Sequence, residues 1–382
     1  MFNRLYIHTP FCRQKCPYCS FFSQEPCGDD LDRYAGLLSS EIRLAAEQSA
    51  TPQNLESIYF GGGTPSLMEP RQVERLIEAA GQAFGIAATA EITLEANPGT
   101  VELQRLADFR LAGVNRLSIG IQSFDDRMLA RLGRIHTADQ AQSAFNMARR
   151  AGFTNIGIDL IHALPEQTLQ MWQTELRQAM RLGPEHISIY GLTIEDGTPF
   201  AARYTDNCPH LPDEELAATM FETADELLPA GGYEHYEIAN YARAGFRSQH
   251  NSGYWKRDGC LGLGAGAHSY LRDAGYGTRF SNAADLDAYA TAIQAGSLPR
   301  VDMMPQTRED ALAEHLFLGL RMSDGVRFSE FKDAFGIGIG EVYAEEIAVL
   351  LKQGLLNKDA AGIRLTRRGM LLSNQVFHRF LP

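Results

Sequence analysis

Leu5-Tyr-Ile-His-Thr-Pro-Phe-Cys12-Arg-Gln-Lys-Cys16-Pro-Tyr-Cys19-Ser-Phe21 is a short apolar run, Leu5–His8, that empties into a loop of three cysteines. The spacing is C-x3-C-x2-C. Three thiolates on one tight loop can hold three corners of a [4Fe–4S] cube and leave the fourth iron without a protein ligand. An open metal position separates sites that do chemistry from sites that only brace a fold. The same spacing also suits a zinc knuckle that recruits Cys27 or His8 as its fourth ligand.

Outward from this loop the chain alternates. Strands are expected at Leu5–His8, Ser57–Phe60, Glu91–Glu95, Arg116–Ile121, Asn155–Asp159 and His186–Tyr190. Amphipathic helices are expected at Asp32–Gln48, Glu69–Phe84, Thr100–Ala112, Asp125–Leu132, Thr137–Ala151 and Thr168–Leu182. Such alternation gives parallel strands joined by right-handed crossovers. Six units fall short of a closed eight-fold barrel, which typically needs ~250 residues. The expectation is an α/β fold, a partial (β/α)6 barrel over residues 1–200.

After Thr198-Pro199 the pattern changes. A helix is expected over Glu214–Leu228 with Asp213 as its N-cap, then a strand over Tyr233–Ile238 and a Gly-rich segment from Gly259 to Gly266. We expect residues 201–305 to extend the barrel. Residues 306–382 read as a mostly helical, winged-helix-like domain, with interdomain packing favoured over DNA binding as its role.

Parallel sheets place their sites at the C-terminal mouths of the strands. Here those mouths carry the cysteine loop, Gly61-Gly62-Gly63-Thr64-Pro65, Glu95, Gln122, Asp159 and Thr193, and Arg134 stands within reach of Gln122. Any one of these has a bland reading, as a turn, a cap or a surface ion pair. Polar or metal-binding groups at all six mouths are hard to explain as packing.

Composition bounds the rest. The 382 residues carry 35 Lys+Arg against 47 Asp+Glu, a net charge of −12, with a pI near 5.4. This balance disfavours broad nucleic-acid binding, which needs basic side chains to displace counterions. At 45% apolar the chain can build an ordinary core. No stretch reaches the ~18 apolar residues of a spanning helix, and Met1–Pro10 shows neither an apolar core nor a cleavage site of a secretory leader. We therefore expect a cytoplasmic protein, whose six cysteines stay reduced. Cys208 and Cys260 read as small apolar fillers.

The cysteine loop after the first strand and Gly-Gly-Gly-Thr-Pro after the second resemble the radical S-adenosylmethionine (SAM) superfamily. In that superfamily SAM chelates the open iron, and an electron from the cluster cleaves it to a 5′-deoxyadenosyl radical. Tyr6-Ile-His-Thr-Pro-Phe-Cys12, Glu95-Ala-Asn-Pro-Gly-Thr100, Ser118-Ile-Gly-Ile-Gln-Ser-Phe124, Leu132-Gly-Arg-Ile-His136 and Asp159-Leu-Ile-His-Ala-Leu-Pro165 narrow the match. They resemble the branch that contains oxygen-independent coproporphyrinogen III dehydrogenases and HemW-type haem chaperones. The likeness runs through Gly369-Met-Leu-Leu-Ser-Asn374. Its one departure is Ala163, where glycine is expected.

The resemblance implies that Cys12, Cys16 and Cys19 hold the cluster and that Tyr6 and Tyr18 border it. Gly62, Gly63 and Thr64 would meet the methionine end of SAM. Glu95, Gln122, Arg134 and Asp159 would hold the rest, with Thr193 and His268 as backbone contacts to the adenosyl part. Three features lean towards the chaperones. Phe21 stands where the dehydrogenase has a further cysteine. The chain starts too close to Tyr6 for the dehydrogenase's N-terminal extension. His250-Asn-Ser-Gly-Tyr-Trp255 matches the H-N-x-x-Y-W segment of the chaperones, whose histidine is implicated in haem attachment. The alternative reading of that hexapeptide is turn and core. The implied partners are haem and apo-haemoproteins, respiratory ones among them, with transient docking at a membrane surface and a homodimer. The rival implication is oxidative decarboxylation of coproporphyrinogen III.

Overall fold

A computed structural model describes residues 1–48, 54–205, 208–272 and 275–381. The six expected units are present: β1 Arg4–Thr9, α1 Asp30–Glu47, β2 Leu55–Gly62, α2 Pro70–Phe84, β3 Ile86–Ala96, α3 Leu103–Leu111, β4 Arg116–Gln122, α4 Asp126–Arg131, α5 Ala138–Arg150, β5 Ile156–His162, α6 Leu169–Leu182 and β6 His186–Gly191. The chain then forms α7 Pro199–Arg203, α8 Glu214–Ala230, β7 Glu234–Glu237, β8 Asn240–Ala242, α9 Gln249–Trp255, β9 Cys260–Leu263, β10 His268–Leu271, β11 Thr278–Asn282, α10 Leu286–Gln294 and β12 Arg300–Pro305. The Asp213 carboxylate caps α8 by accepting from the Leu216 amide.

Among the described residues these twelve strands make one sheet, ordered β12-β11-β10-β9-β1-β2-β3-β4-β5-β6-β8-β7. The order does not close on itself, so the barrel is open. From β9 through β6 the neighbours run parallel. The two flanks are antiparallel.

Register explains why the interior is a site and not a core. Residues paired across strands face the same way. One face carries Ile58, Phe60, Ile92, Leu94, Leu117, Ile119, Ile156, Ile158, Leu160, Ile187 and Ile189, all buried in the main core beneath the helices. The opposite face carries Tyr59, Thr93, Glu95, Arg116, Ser118, Asp159, His186, Ser188 and Tyr190. A closed barrel fills its interior with branched apolar side chains. This one lines it with hydrogen-bonding groups.

The last part forms α11 Arg308–Gly319, β13 Val326–Arg327, α12 Phe328–Phe335, α13 Ile339–Val342, α14 Ala344–Lys352, β14 Leu356–Lys358, β15 Gly362–Leu365, α15 Arg367–Leu371 and α16 Ser373–His378. Its small sheet, β13-β15-β14, and the helix–wing–helix order give the winged-helix-like domain read from the sequence. It has its own core around Leu316, Phe331, Leu350 and Val376. It meets the barrel where Ser323 donates to the Tyr236 carbonyl and Arg367 pairs with Asp225.

Glu41 ties the sheet extension to the barrel. Its buried carboxylate accepts from the Gly264 amide at 2.8 Å, Asn282 Nδ2 at 2.6 Å and the Tyr289 hydroxyl at 2.7 Å. Glu41→Leu leaves those donors buried and unpaired, so unfolding free energy falls by about 3 kcal/mol. Denaturant melts check this, and a midpoint indistinguishable from the parent would remove Glu41 as the tie.

Candidate functional site

Two turns build the mouth together. Gly63 and Thr64 donate their amides to the carbonyls of Thr9 and Phe11, at 2.9 and 2.7 Å. A Cβ on Gly63 would lie 2.6 Å from the Phe11 oxygen, and one on Gly62, at φ 107°, would lie 2.4 Å from the His8 ring. Only glycine lets the backbone pass there.

The cysteine loop is pinned at its base, where Cys12 donates to the Gln24 carbonyl and Gln24 to that of Pro10. It is also held across the mouth. Arg13 reaches the Gly99 carbonyl, Gln14 reaches that of Gly133, and the Phe200 amide donates to Pro17. His8 braces its far side through Tyr6 at 3.0 Å and the Phe22 carbonyl at 3.0 Å.

Beneath the loop lies a cavity of about 480 Å³. Cys12, Cys16, Cys19, Tyr18, Gly62, Gly63, Thr64, Glu95, Gln122, Arg134, Asp159 and Thr193 all line it. The Thr64 hydroxyl reaches the Cys12 sulfur at 3.5 Å and Arg134 Nη1 the Cys16 sulfur at 3.6 Å. The three cysteines are free thiols, and burial pushes the Cys19 thiol above its ordinary pKa.

Glu95 joins two strands, accepting from the Tyr59 hydroxyl at 2.7 Å and the Gly62 amide at 3.2 Å. Burial raises its pKa to about 7 against those donors, and Asp159 adds to the rise. Burial also raises Asp159, whose carboxylate takes the Ser118 hydroxyl at 3.3 Å. Gln122 sits at φ 67°, and among the described residues its buried Oε1 has no partner, nor has Arg134 Nε. A strained non-glycine residue with an orphaned polar atom marks a place prepared for a ligand. Ala163 stands at φ 58°, the left-handed region that explains why glycine was expected there.

Three free thiols on one loop above a polar cavity fit an iron–sulfur cluster by donor type. Among the described residues no three His, Cys, Asp or Glu side chains are arranged to hold one metal ion. A cube takes each thiolate at a separate corner, so its cysteines stand further apart than ligands around one centre. Neither fourth ligand of a zinc knuckle is offered. Both His8 nitrogens are engaged, and Cys27 does not line the cavity.

Three expected residues stand elsewhere. Tyr6 and His268 line a second cavity of about 470 Å³ on the other side of the cysteine loop. His250 lies in α9, 1% exposed. Its Nδ1 meets the Ser57 hydroxyl at 2.9 Å and its Nε2 the Tyr254 hydroxyl at 3.1 Å. Burial drives its pKa down to about 3, so the ring is neutral.

Much of the H-N-x-x-Y-W segment and its surroundings is packed in the same way. Glu91 accepts from the Gln249 and His250 amides at the start of α9. Gly253 leaves room for Arg4, where a Cβ would lie 1.5 Å from its Nε. The Arg321 guanidinium covers the Trp255 ring at 4.3 Å. Asn251 alone of the hexapeptide lines the main cavity. Arg116, His186 and Ser188 share that cavity floor and were missed from the sequence. Their only signal was a polar residue on alternate positions of buried strands.

A half-open parallel barrel with this cysteine loop over a polar cavity defines a radical SAM protein. The Radical SAM superfamily model matches residues 6–179, and the HemN C-terminal domain model matches residues 306–372. A heme chaperone HemW of Lactococcus lactis is 36% identical, covering 99% of this chain and 97% of that one. HemW of Haemophilus influenzae is 37% identical over the same shares, 99% and 97%. The solved coproporphyrinogen III oxidase HemN of Escherichia coli, described as a radical SAM enzyme, superposes with a TM-score of 0.85. It is 25% identical and covers 99% of this chain and 90% of its own. The chain belongs to the HemW family of heme chaperones.

Gly63→Ala forces the cysteine loop away from the second turn while leaving the helices untouched. Iron and sulfide retained after anaerobic reconstitution should drop roughly tenfold with little change in melting temperature. Full iron content in the variant would show that the loop is not set by this contact.

Proposed function

We propose that this protein is a cytoplasmic haem chaperone that binds a [4Fe–4S] cluster and SAM and passes haem to apo-haemoproteins. The near-full-length likeness to heme chaperones, on a fold whose cysteine loop and polar cavity are both in place, carries this reading. Cys12, Cys16 and Cys19 would hold the cluster. Gly62, Gly63 and Thr64 would take the methionine end of SAM through backbone groups. Glu95, Gln122, Arg134 and Asp159 would hold the remainder, with Thr193 beside the adenosyl part. When bound, the cluster supplies an electron to the SAM on its open iron.

The chain's own contribution is positional. Arg134 sets a positive charge beside the Cys16 sulfur, where it offsets the charge of thiolates. Burial under the loop excludes water from the reacting end. The acceptors we propose include respiratory haemoproteins reached at a membrane surface, and a homodimer is the proposed working form. Among the described residues no helix is long and apolar enough to cross a membrane.

Haem titration of anaerobically reconstituted protein tests the reading, with absorption as the readout. Stoichiometric binding and release to an apo-haemoprotein support it. If no haem binds and protoporphyrinogen forms from coproporphyrinogen III, the protein is the dehydrogenase instead.

The Glu95 pKa gives a second test. The group binds its proton more tightly when folded and empty than the ordinary carboxylate does. A cationic sulfonium ligand with a ribose diol favours the carboxylate form, so binding releases that proton. SAM affinity should therefore rise as pH climbs through about 7 and level off above it. Calorimetry between about pH 6 and 8 should show this slope in the parent and a flatter one in Glu95→Gln.

A further inference from the structure

We propose that haem sits in the second cavity with its iron facing His268, and not at His250; this rests on the chaperone reading. The cavity lies between the continuation of the cysteine loop and the inner face of β10 and β11. At about 470 Å³ it is within the ~300–1,000 Å³ range of small-molecule sites.

Its walls carry aromatic rings whose hydroxyls are engaged elsewhere. Tyr6 spends its hydroxyl on His8, Tyr254 on His250 and Tyr270 on the Tyr276 carbonyl, at 3.0, 3.1 and 3.0 Å. With their hydroxyls engaged, Tyr6 and Tyr254 bring no free polar tip to the cavity, while the Tyr270 ring carries the Arg257 and Arg279 guanidinium groups. Phe21 stands at the lip, 64% exposed, an uncovered apolar face of the kind that marks a binding surface.

Two histidines line the cavity, and only one is open. His8 has both nitrogens occupied and is 5% exposed. His268, at the exposed first position of β10, has no side-chain partner among the described residues. A neutral imidazole with a free nitrogen is the common protein ligand of haem iron. His250 has neither a free nitrogen nor a place on this wall.

One end of the cavity is cationic. Arg257 and Arg279 both lie against the Tyr270 ring, at 4.9 and 4.8 Å, and share a single carboxylate, Glu314. Two guanidinium groups on one carboxylate leave a positive charge. Asp258, on the same wall, is already paired with Arg4 at 2.9 Å. A flat apolar ring with an imidazole-seeking metal at its centre and carboxylates on one edge matches these three features together. A flat nucleobase would use the aromatic walls but leave the imidazole and the arginine end without partners.

The test titrates the full, anaerobically reconstituted chain with haemin and, separately, with iron-free protoporphyrin. Parent, His268→Ala and His250→Ala are compared by absorption, with melting curves to monitor folding. His268→Ala should keep its fold, lose roughly tenfold in haemin affinity with a shifted Soret band, and bind iron-free protoporphyrin like the parent. His250→Ala, if folded, should keep the parent's Soret position. Haemin binding by His268→Ala with unchanged affinity and spectrum overturns this site while the chaperone reading stands. Failure of the parent itself to bind haemin overturns the chaperone reading, and the site with it.

Discussion

The close approach of two backbone turns, Gly61–Gly63 after β2 and Thr9–Phe11 after β1, is the contact on which the rest depends. The amides of Gly63 and Thr64 donate across it, at 2.9 and 2.7 Å. A methyl group on Gly63 would meet the Phe11 carbonyl oxygen at 2.6 Å, a backbone clash that no side-chain rotation relieves. Everything downstream uses that contact. It fixes the root of the cysteine loop, brings Thr64 to the Cys12 sulfur and points the Gly62 amide at Glu95. Glu95 then carries the registration to Tyr59 on β2. A site proposed to hold a cluster and a charged nucleotide-like molecule needs more than flexible loops. Here two loops are locked backbone to backbone, where no rotamer freedom remains to be lost.

Much of this was legible because the chemistry and the periodicity agree. Apolar side chains on the outer face of each parallel strand and polar ones at its mouth gave the six units and the positions from Cys12 to Asp159. The main cavity gathers those residues together with Thr193. What was hidden was hidden by glycine and by short length. The segment Gly259–Gly266 read as a Gly-rich stretch, yet β9 within it pairs with β1 and extends the sheet. Gly262 is required there because a Cβ would meet the His268 carbonyl oxygen at 2.2 Å, and Gly259 because one would meet the Met1 oxygen at 2.3 Å. The residues that let that strand approach are the ones that erase its β signature. The burial of His250 was illegible for another reason. A seven-residue helix such as α9 is too short for periodicity to say which side faces in.

The H-N-x-x-Y-W hexapeptide gains a physical meaning from its surroundings. The Tyr59 and His250 rings stack at 5.0 Å, and Tyr6 stacks on Tyr59 at 6.1 Å. Tyr6 in turn holds His8, which holds the Phe22 carbonyl at the far end of the cysteine loop. His250 is therefore the foundation of a row of rings that ends at that loop. Removing it takes the His250 partner from Ser57 and leaves Tyr254 only the Cys260 thiol, which loosens the wall they support. A loss of haem on changing this histidine would follow from that collapse without any bond between its ring and iron. The same change would be felt at the cysteines, because the row reaches both cavities.

On the proposed reading, that shared wall also gives a haem carrier a reason to keep a cluster loop. Ser20 and Phe21 line the main cavity and the second one alike. They follow Cys19 directly, so whatever fixes the three thiols fixes the lip of the neighbouring cavity as well. Between its base at Pro10, Cys12 and Gln24 the loop touches the mouth through Arg13, Gln14 and Pro17, and none of the three thiols is itself fixed by a covalent tie. Tying three points of that loop to one rigid body removes more of its conformational freedom before a second ligand arrives. The later ligand then meets a formed wall and bears less of the ordering cost. On this argument the cluster and SAM need not react for the carrier to use them. On the proposed reading their binding alone would shape the surface beside them, which Phe21, in place of a further cysteine, makes apolar.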